Sequence, residues 1–164
     1  MMSVRNCNEL GLSLQKIVRR LMENDDLVKL LYYQDQDPLS KEALDKEFKQ
    51  KEIFEKLIKV VPHVGTNTDS KSVLVVYITK GSKNLQNKEF KNINICISVF
   101  VPLTNWIIKD TNLRPFAILS EVQSSLDGKV INGLGRLSGG DFDLKLLTEE
   151  MSCYETVYNL IEYD

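Results

Sequence analysis

The chain has 164 residues, 43% of them hydrophobic, enough for one core of ordinary domain size. Its 21 basic residues nearly balance 23 acidic ones, leaving a formal net charge of -2 and no overall drive toward DNA or an anionic membrane. Most of the cations are lysines, hydrated point charges that read base edges poorly, so composition gives no support to nucleic-acid recognition.

Cys7, Cys96 and Cys153 are odd in number, widely spaced and form no C-x-x-C pair. They read as reduced thiols of a cytoplasmic protein rather than as a disulfide framework. The opening stretch MMSVRNCNELGLSLQKIVRR lacks the continuous apolar segment of a signal peptide. No apolar run approaches the roughly 20 residues that span a bilayer. The expectation is a soluble protein made in the cytoplasm, with no membrane partner.

Leu10, Leu14, Ile17, Val18 and Leu21 recur at helical spacing, with Lys16, Arg19 and Arg20 between them, and predict an amphipathic helix with Asn8 as its cap. Asp25 or Asp26 caps a second short helix that turns Leu27, Leu30 and Leu31 inward. QDQDPLS breaks the chain at Pro38, since the residue before a proline is pushed out of the helical region. SKEALDKEFKQKEIFEKLIK then has partial helical periodicity through Ala43, Leu44, Phe48, Ile53, Phe54 and Leu57, as one broken helix or two short ones. VVPHVGTNTDSK leads into a loop.

SVLVVYIT, residues 72–79, is β-branched and apolar on both faces, as a buried strand requires. FKNINICISVFVP is a long strand with Ile93, Ile95, Ile97, Val99 and Val101 on one face and Asn92, Asn94, Cys96 and Ser98 on the other. The polar link between the two suits an antiparallel hairpin. A helix follows, with Asn112 as cap, Pro115 in its first turn, a stripe of Phe116, Leu119, Val122 and Leu126, and Gly128 as its stop. LGRLS as a short strand, GGD as a turn and a strand within MSCYETVYNLIEY complete the chain. The fold class expected is α+β: N-terminal helices, then a largely antiparallel sheet of two β-hairpins with an intervening helix packed on one face. Residues 1–164 form one domain in this reading, with 1–61 mostly helical and 72–164 the β-β-α-β-β core.

KVINGLGRLSGGD invites comparison with a nucleotide loop, because Gly135 and Gly140 have the G-x-x-x-x-G spacing. The comparison fails chemically. Asp141 stands where a phosphate-binding lysine is needed, and Phe142 where a hydroxyl would reach magnesium. These glycines also precede strands, so no helix N-terminus faces them. The G-x-G-x-x-G alternative breaks at Ser138. The glycines read as backbone turns and a close approach at a strand edge.

His63 is the only histidine, which excludes a histidine-rich metal site, and VPHVG reads as a turn. Asp35 and Asp37 form a D-x-D without a glycine-bearing ligand loop or third carboxylate, so a solvated turn is expected rather than a cation site. Tyr32 and Tyr33 fit base stacking, a partly buried helix end or an aromatic protein contact. Arg114 fits an exposed loop or a reach to a neighbouring subunit's carboxylate. Trp106 fits a core anchor or an interface. Tyr32, Tyr33, Trp106 and Arg114 are the candidate interface residues. No catalytic, cofactor-binding or metal-ligating set is identified, and no enzymatic activity is expected.

Taken together, LVKLLYYQDQDPLS after a short amphipathic helix, the strand ending ISVFVP, LRPFAILSEV, and INGLGRL before a tyrosine-rich terminal strand resemble the neck proteins of tailed bacteriophages, of the tail-terminator type. The resemblance implies a structural virion protein at the head–tail junction, without catalytic residues or cofactors. It implies a homo-oligomeric ring, a hexamer first and a dodecamer second, that ends the tail tube or joins it to the portal. Its partners would be other copies of itself and adjoining neck, portal-adaptor or tail-tube proteins. Phage DNA would pass through without sequence-specific binding, which the balanced charge suits. The sheet edge would meet a neighbour, with loops 80–90 and 138–142 facing the channel or the next ring. The competing classes are a non-virion regulator or inhibitor of a host protein, and an enzyme with clustered ionisable groups in a pocket.

Overall fold

The computed structural model describes residues 7–60, 71–83, 85–86, 92–131 and 135–161. Helices α1 (Cys7–Met22) and α2 (Asp25–Tyr32) come first, then α3 (Lys46–Phe48), which widens into a π turn over Lys49–Ile53. Strands β1 (Ile58–Lys59), β2 (Val73–Lys80) and β3 (Ile93–Pro102) follow. Helix α4 (Arg114–Leu126) leads to β4 (Val130–Ile131), β5 (Gly135–Leu147) and β6 (Met151–Ile161). The six strands lie in the order β1-β2-β3-β6-β5-β4. All neighbours are antiparallel except β1 and β2. This is the α+β arrangement expected, with both hairpins present.

The helices cover one face of this sheet. Ile17, Val18 and Leu21 of α1, Leu27, Leu30 and Leu31 of α2, and Ile118, Leu119, Val122 and Leu126 of α4 form one core with Leu74 and Val76 of β2 and the isoleucine–valine row of β3. Alternation does the sorting. Ile93, Ile95, Ile97, Val99 and Val101 all point to the helices, as their spacing predicts.

Several local expectations change. Cys7 already lies in α1, so Asn8 sits in the first turn rather than at the cap. Asn24, not Asp25 or Asp26, caps α2: its Oδ1 accepts from Leu27 N at 3.0 Å. Its Nδ2 meanwhile donates to Glu121 Oε2 and Ser125 Oγ of α4, each at 2.9 Å. The two aspartates occupy the first turn of α2, where the helix dipole favours them. Helix α2 ends at Tyr32, and Pro38 opens a separate 3₁₀ turn, Pro38–Ser40. In the charged segment Asp45 caps α3. Glu55 takes φ 58°, which stops any helix and turns Leu57 and Ile58 into the core beside β2. Leu113 is the N-cap residue of α4, while Asn112 Oδ1 accepts the Leu113 N–H. Gly128, at φ 67°, follows the helix as expected.

The largest correction is at residues 138–142. GGD is not a turn or loop but part of β5, which runs 13 residues. Gly139 takes φ 154°, and a Cβ there would stand 2.3 Å from the Val157 carbonyl oxygen of β6. The glycine therefore serves a close approach of two backbones. The register slips between Gly139 and Asp141, leaving Gly140 as an added residue, so the strand bends and continues. The reversal falls at Thr148, whose N–H donates to Met151 O at 2.9 Å.

Two glycine substitutions test this account. Gly139→Ala is expected to destabilise the protein by roughly 2 kcal/mol or more, through strain and a backbone clash. Gly11→Ala, inside α1 with no atom near the added methyl, is expected to stabilise it by about 0.5–1 kcal/mol. Urea unfolding monitored by circular dichroism measures both. A neutral Gly139→Ala would remove the close-approach explanation.

Candidate assembly surface

Trp106, from the β3–α4 connection, and Phe116, in the first turns of α4, meet Tyr154 of β6 and Phe142 of β5. Ring centroids stand 5.3 Å apart for Phe116–Tyr154, 5.9 Å for Phe116–Phe142, 6.0 Å for Phe142–Tyr154 and 6.4 Å for Trp106–Tyr154. These are tilted and edge-on arrangements, the favourable ones for aromatic quadrupoles. The cluster marks the rim of the core. Phe116 is 38% and Phe142 51% exposed, so Phe116 is not the buried stripe residue that helical spacing suggests.

Beyond this rim the β5–β6 hairpin runs on as an arm. Leu144 faces Tyr154 across the ladder and Leu147 faces Ser152; a second slip at Lys145 turns Leu146 to the other face. Leu144, Leu146 and Leu147 are all about half exposed. Asp141, Asp143 and Lys145 alternate with them. Among the described residues strand β4 pairs only with Gly135 and Arg136. Lys129 O and the Gly128 N–H cover Leu137, and Asp127 Oδ1 accepts from Gly139 N at 3.3 Å. Among the described residues no strand pairs the outer edge of β5 from Gly140 to Leu147. A long, half-apolar strand with an unpaired edge is a template for further pairing.

The residues singled out by sequence fall in different places. Trp106 belongs to the aromatic rim. Tyr32 makes edge-on contacts with Tyr33 at 5.2 Å and Phe48 at 5.1 Å, and Lys71 Nζ sits 4.0 Å above its ring. The Tyr33 hydroxyl donates to Glu42 O at 3.2 Å. Arg114 is corrected outright. It is 1% exposed, neither a loop arginine nor one that reaches a neighbour. Its guanidinium donates to four main-chain carbonyls: Leu30 and Asp35 at 2.6 Å, Tyr33 and Asn105 at 2.8 Å. Burial lowers its pKa, yet arginine remains charged. Asp35 and Asp37 diverge, Asp35 toward Lys41 at 3.6 Å and Asp37 toward Lys109 at 3.2 Å, and Lys109 holds the Asp37 carboxyl below its ordinary value. His63, Gly133, and positions 84 and 87–90 of the expected 80–90 loop lie outside the described residues. Phe142, Leu144, Leu147 and Tyr154 were not singled out by sequence. The signal available was the acid–apolar alternation of DFDLKLL, a strand pattern hidden by the glycines before it.

The helix-free face of the sheet carries a polar network. The Tyr77 hydroxyl donates to Glu155 Oε2 at 2.7 Å and lies 3.0 Å from Ser98 Oγ. Tyr77 stands opposite Cys96 in register and shelters it, so this face is more buried than its polar residues suggest. All three cysteines are free. Cys153 pairs with Phe100, four positions from Cys96 along β3, about 13 Å away and beyond disulfide reach. Burial pushes the Cys153 thiol up to about 11 and raises that of Cys96, which makes both poor nucleophiles at neutral pH. Among the described residues no group of three or more metal-binding side chains is assembled, and no helix is long and apolar enough to cross a membrane.

A helix-covered core and, among the described residues, a half-exposed strand arm with an open edge together define an α+β protein with a six-stranded mixed sheet. The YomW family matches residues 24–160, and the chain belongs to that family. YomW is a phage-derived gene name, which makes this a phage-associated protein. No curated protein matches the chain.

Alkaline stability tests the buried groups. Burial raises Tyr77 and Tyr158 from 10.0 to about 12, and Cys153 from 9.0 to about 11. A folded-state value above the unfolded one gives stability that is complete below the unfolded value and lost as pH climbs through the folded value. The urea midpoint is therefore expected to hold to about pH 9 and to fall between about pH 9 and 12. Tyr158→Phe should shallow that fall. A midpoint unchanged to pH 12 would contradict the burial described.

Proposed function

We propose that this protein is a structural virion component of a tailed phage, forming a ring at the head–tail junction. In this reading it ends the tail tube or joins the tail to the portal, acts without catalysis or cofactor, and works in the virion after assembly in the host cytoplasm. A hexamer is the favoured ring, with a dodecamer next. The observation that carries the reading is the unpaired, half-apolar edge of β5 beyond the aromatic rim. Its exposed Phe142, Leu144 and Leu147 lie on a strand paired with β6 from Arg136 to Leu147. An exposed apolar patch on an ordered strand suits a permanent subunit contact better than a transient one. Membership in a phage-associated family supports the phage setting, and the resemblance of the sequence stretches to tail-terminator-type neck proteins is what points to the neck. Copies would meet head to tail, the contact type that closes into rings.

Two measurements test this. Gold-labelled antibody raised against the native chain should mark the head–tail junction of particles from the source phage. Label confined to free protein would move the reading to a non-virion regulator of a host protein. In parallel, Leu144→Asp with Leu147→Asp should leave the thermal melt within a few degrees of the parent, since both side chains already face solvent, and should abolish the ring in mass photometry. Normal rings from that variant would remove the arm from the contact.

A further inference from the structure

At the opposite end of β5 from the arm, the C-terminal half of α1 and strand β4 enclose an open cleft of about 360 Å³. It is lined by Lys16, Arg19, Arg20, Glu23, Lys129 and the apolar pair Val130 and Ile131. Arg20 spends part of its charge on Glu23, at 3.4 Å, and on Ser125 O. Among the described residues Lys16, Arg19 and Lys129 face no carboxylate within ion-pair distance. Val130 is 60% exposed. The cleft therefore offers four cations against one carboxylate around an apolar floor.

The hairpin arm is its electrostatic opposite. Asp141, Asp143, Glu149 and Glu150 are exposed there against one lysine, Lys145, and they surround the half-exposed Leu144 and Leu147. Lys145 is itself occupied by Asp143 at 3.7 Å and Glu155 at 3.9 Å. Within one molecule the two surfaces cannot meet. They flank a single strand whose residues Arg136 to Leu147 cover roughly 35 Å when extended, and despite two register slips its pairing with β6 continues from Arg136–Ile161 to Leu147–Ser152, which keeps its ends apart.

We infer that the cleft between α1 and β4 receives the acidic tip of the β5–β6 hairpin from a second copy of this chain. The inference rests on the ring reading and deepens it by naming both halves of the contact. Because socket and tip are different surfaces, each copy offers one of each and the contact is heterologous, as ring closure requires. The leucines of the tip meet the apolar floor while its carboxylates meet the cations, which sets register and orientation as well as affinity. Duplex DNA is the other polyanion that four cations attract, but Glu23 within the lining and the apolar floor of Val130 and Ile131 fit a phosphate backbone poorly.

Reciprocal charge reversal tests this. The socket variant is Arg19→Glu with Lys129→Glu, and the tip variant is Glu149→Lys with Glu150→Lys; all four side chains are exposed, so each variant should melt like the parent. Assembly is read by mass photometry and sedimentation. Each variant alone should need at least about tenfold more protein to assemble. An equimolar mixture should restore assembly in alternating order, because every contact then pairs opposite charges. A parent chain that stays monomeric at high concentration and low salt overturns the ring reading and this contact with it. A parent that assembles while both variants do so equally well overturns this contact alone, as does a mixture that fails to recover. A socket variant that assembles normally but loses affinity for a duplex oligonucleotide overturns it in favour of a nucleic-acid site.

Discussion

A helix and a strand of equal residue count differ in length by more than a factor of two, and this mismatch governs the molecule. Helix α4 and strand β5 each contain 13 residues. At 1.5 Å per residue the helix covers about 20 Å, whereas at about 3.3 Å per residue the strand covers about 43 Å. One helix cannot roof the strand it packs on. At one end Leu137, Tyr158 and Leu160 lie buried under the helical layer. At the other, Leu144 and Leu147 stand clear of it, and the four aromatic rings close the boundary between covered and uncovered sheet. The half-exposed apolar end of β5 is thus a consequence of the geometry that builds the core.

Where the boundary falls depends on how the helices are set, and Arg114 is central to that. Its guanidinium joins the end of α2 and the turn after it, through Leu30, Tyr33 and Asp35, to Asn105 in the β3–α4 connection. Its own N–H donates to Trp106 O at 2.7 Å, fixing the tryptophan that opens the aromatic rim. A buried cation without a carboxylate partner is costly unless its donors are met, and here main-chain oxygens that the helix terminus leaves unpaired meet them. The lysine of the same connection reinforces the arrangement, since Lys109 N donates to Gln36 O at 2.6 Å and its ammonium reaches Asp37. Asp110 and Thr111 take positive φ between these anchors, a strained conformation the surrounding bonds impose.

The two faces of the sheet also divide labour. The helical face is a continuous apolar layer. The other buries small and sulfur-bearing side chains beneath a tyrosine whose hydroxyl is tied to Glu155 and Ser98. Buried polar groups with satisfied partners specify a unique pairing more sharply than they add stability. Here the network joins β2, β3 and β6, three adjacent strands, in one register.

The sequence by itself determined the class of fold and the helical and strand faces, because these depend on periodicity. The isoleucine–valine row of β3 and the leucines of α1 and α2 needed no tertiary information, since alternation and helical spacing each define a face locally. Only the tertiary structure decided where Arg114 points, because its partners lie up to 84 positions away in the chain. It also decided that GGD continues a strand, since Gly139 is required by the backbone of β6 rather than by a turn of its own. The arm was hidden for the same reason. Whether Phe142, Leu144 and Leu147 are core or surface depends on how far a helix elsewhere in the chain extends over them, and spacing along the strand cannot encode that distance.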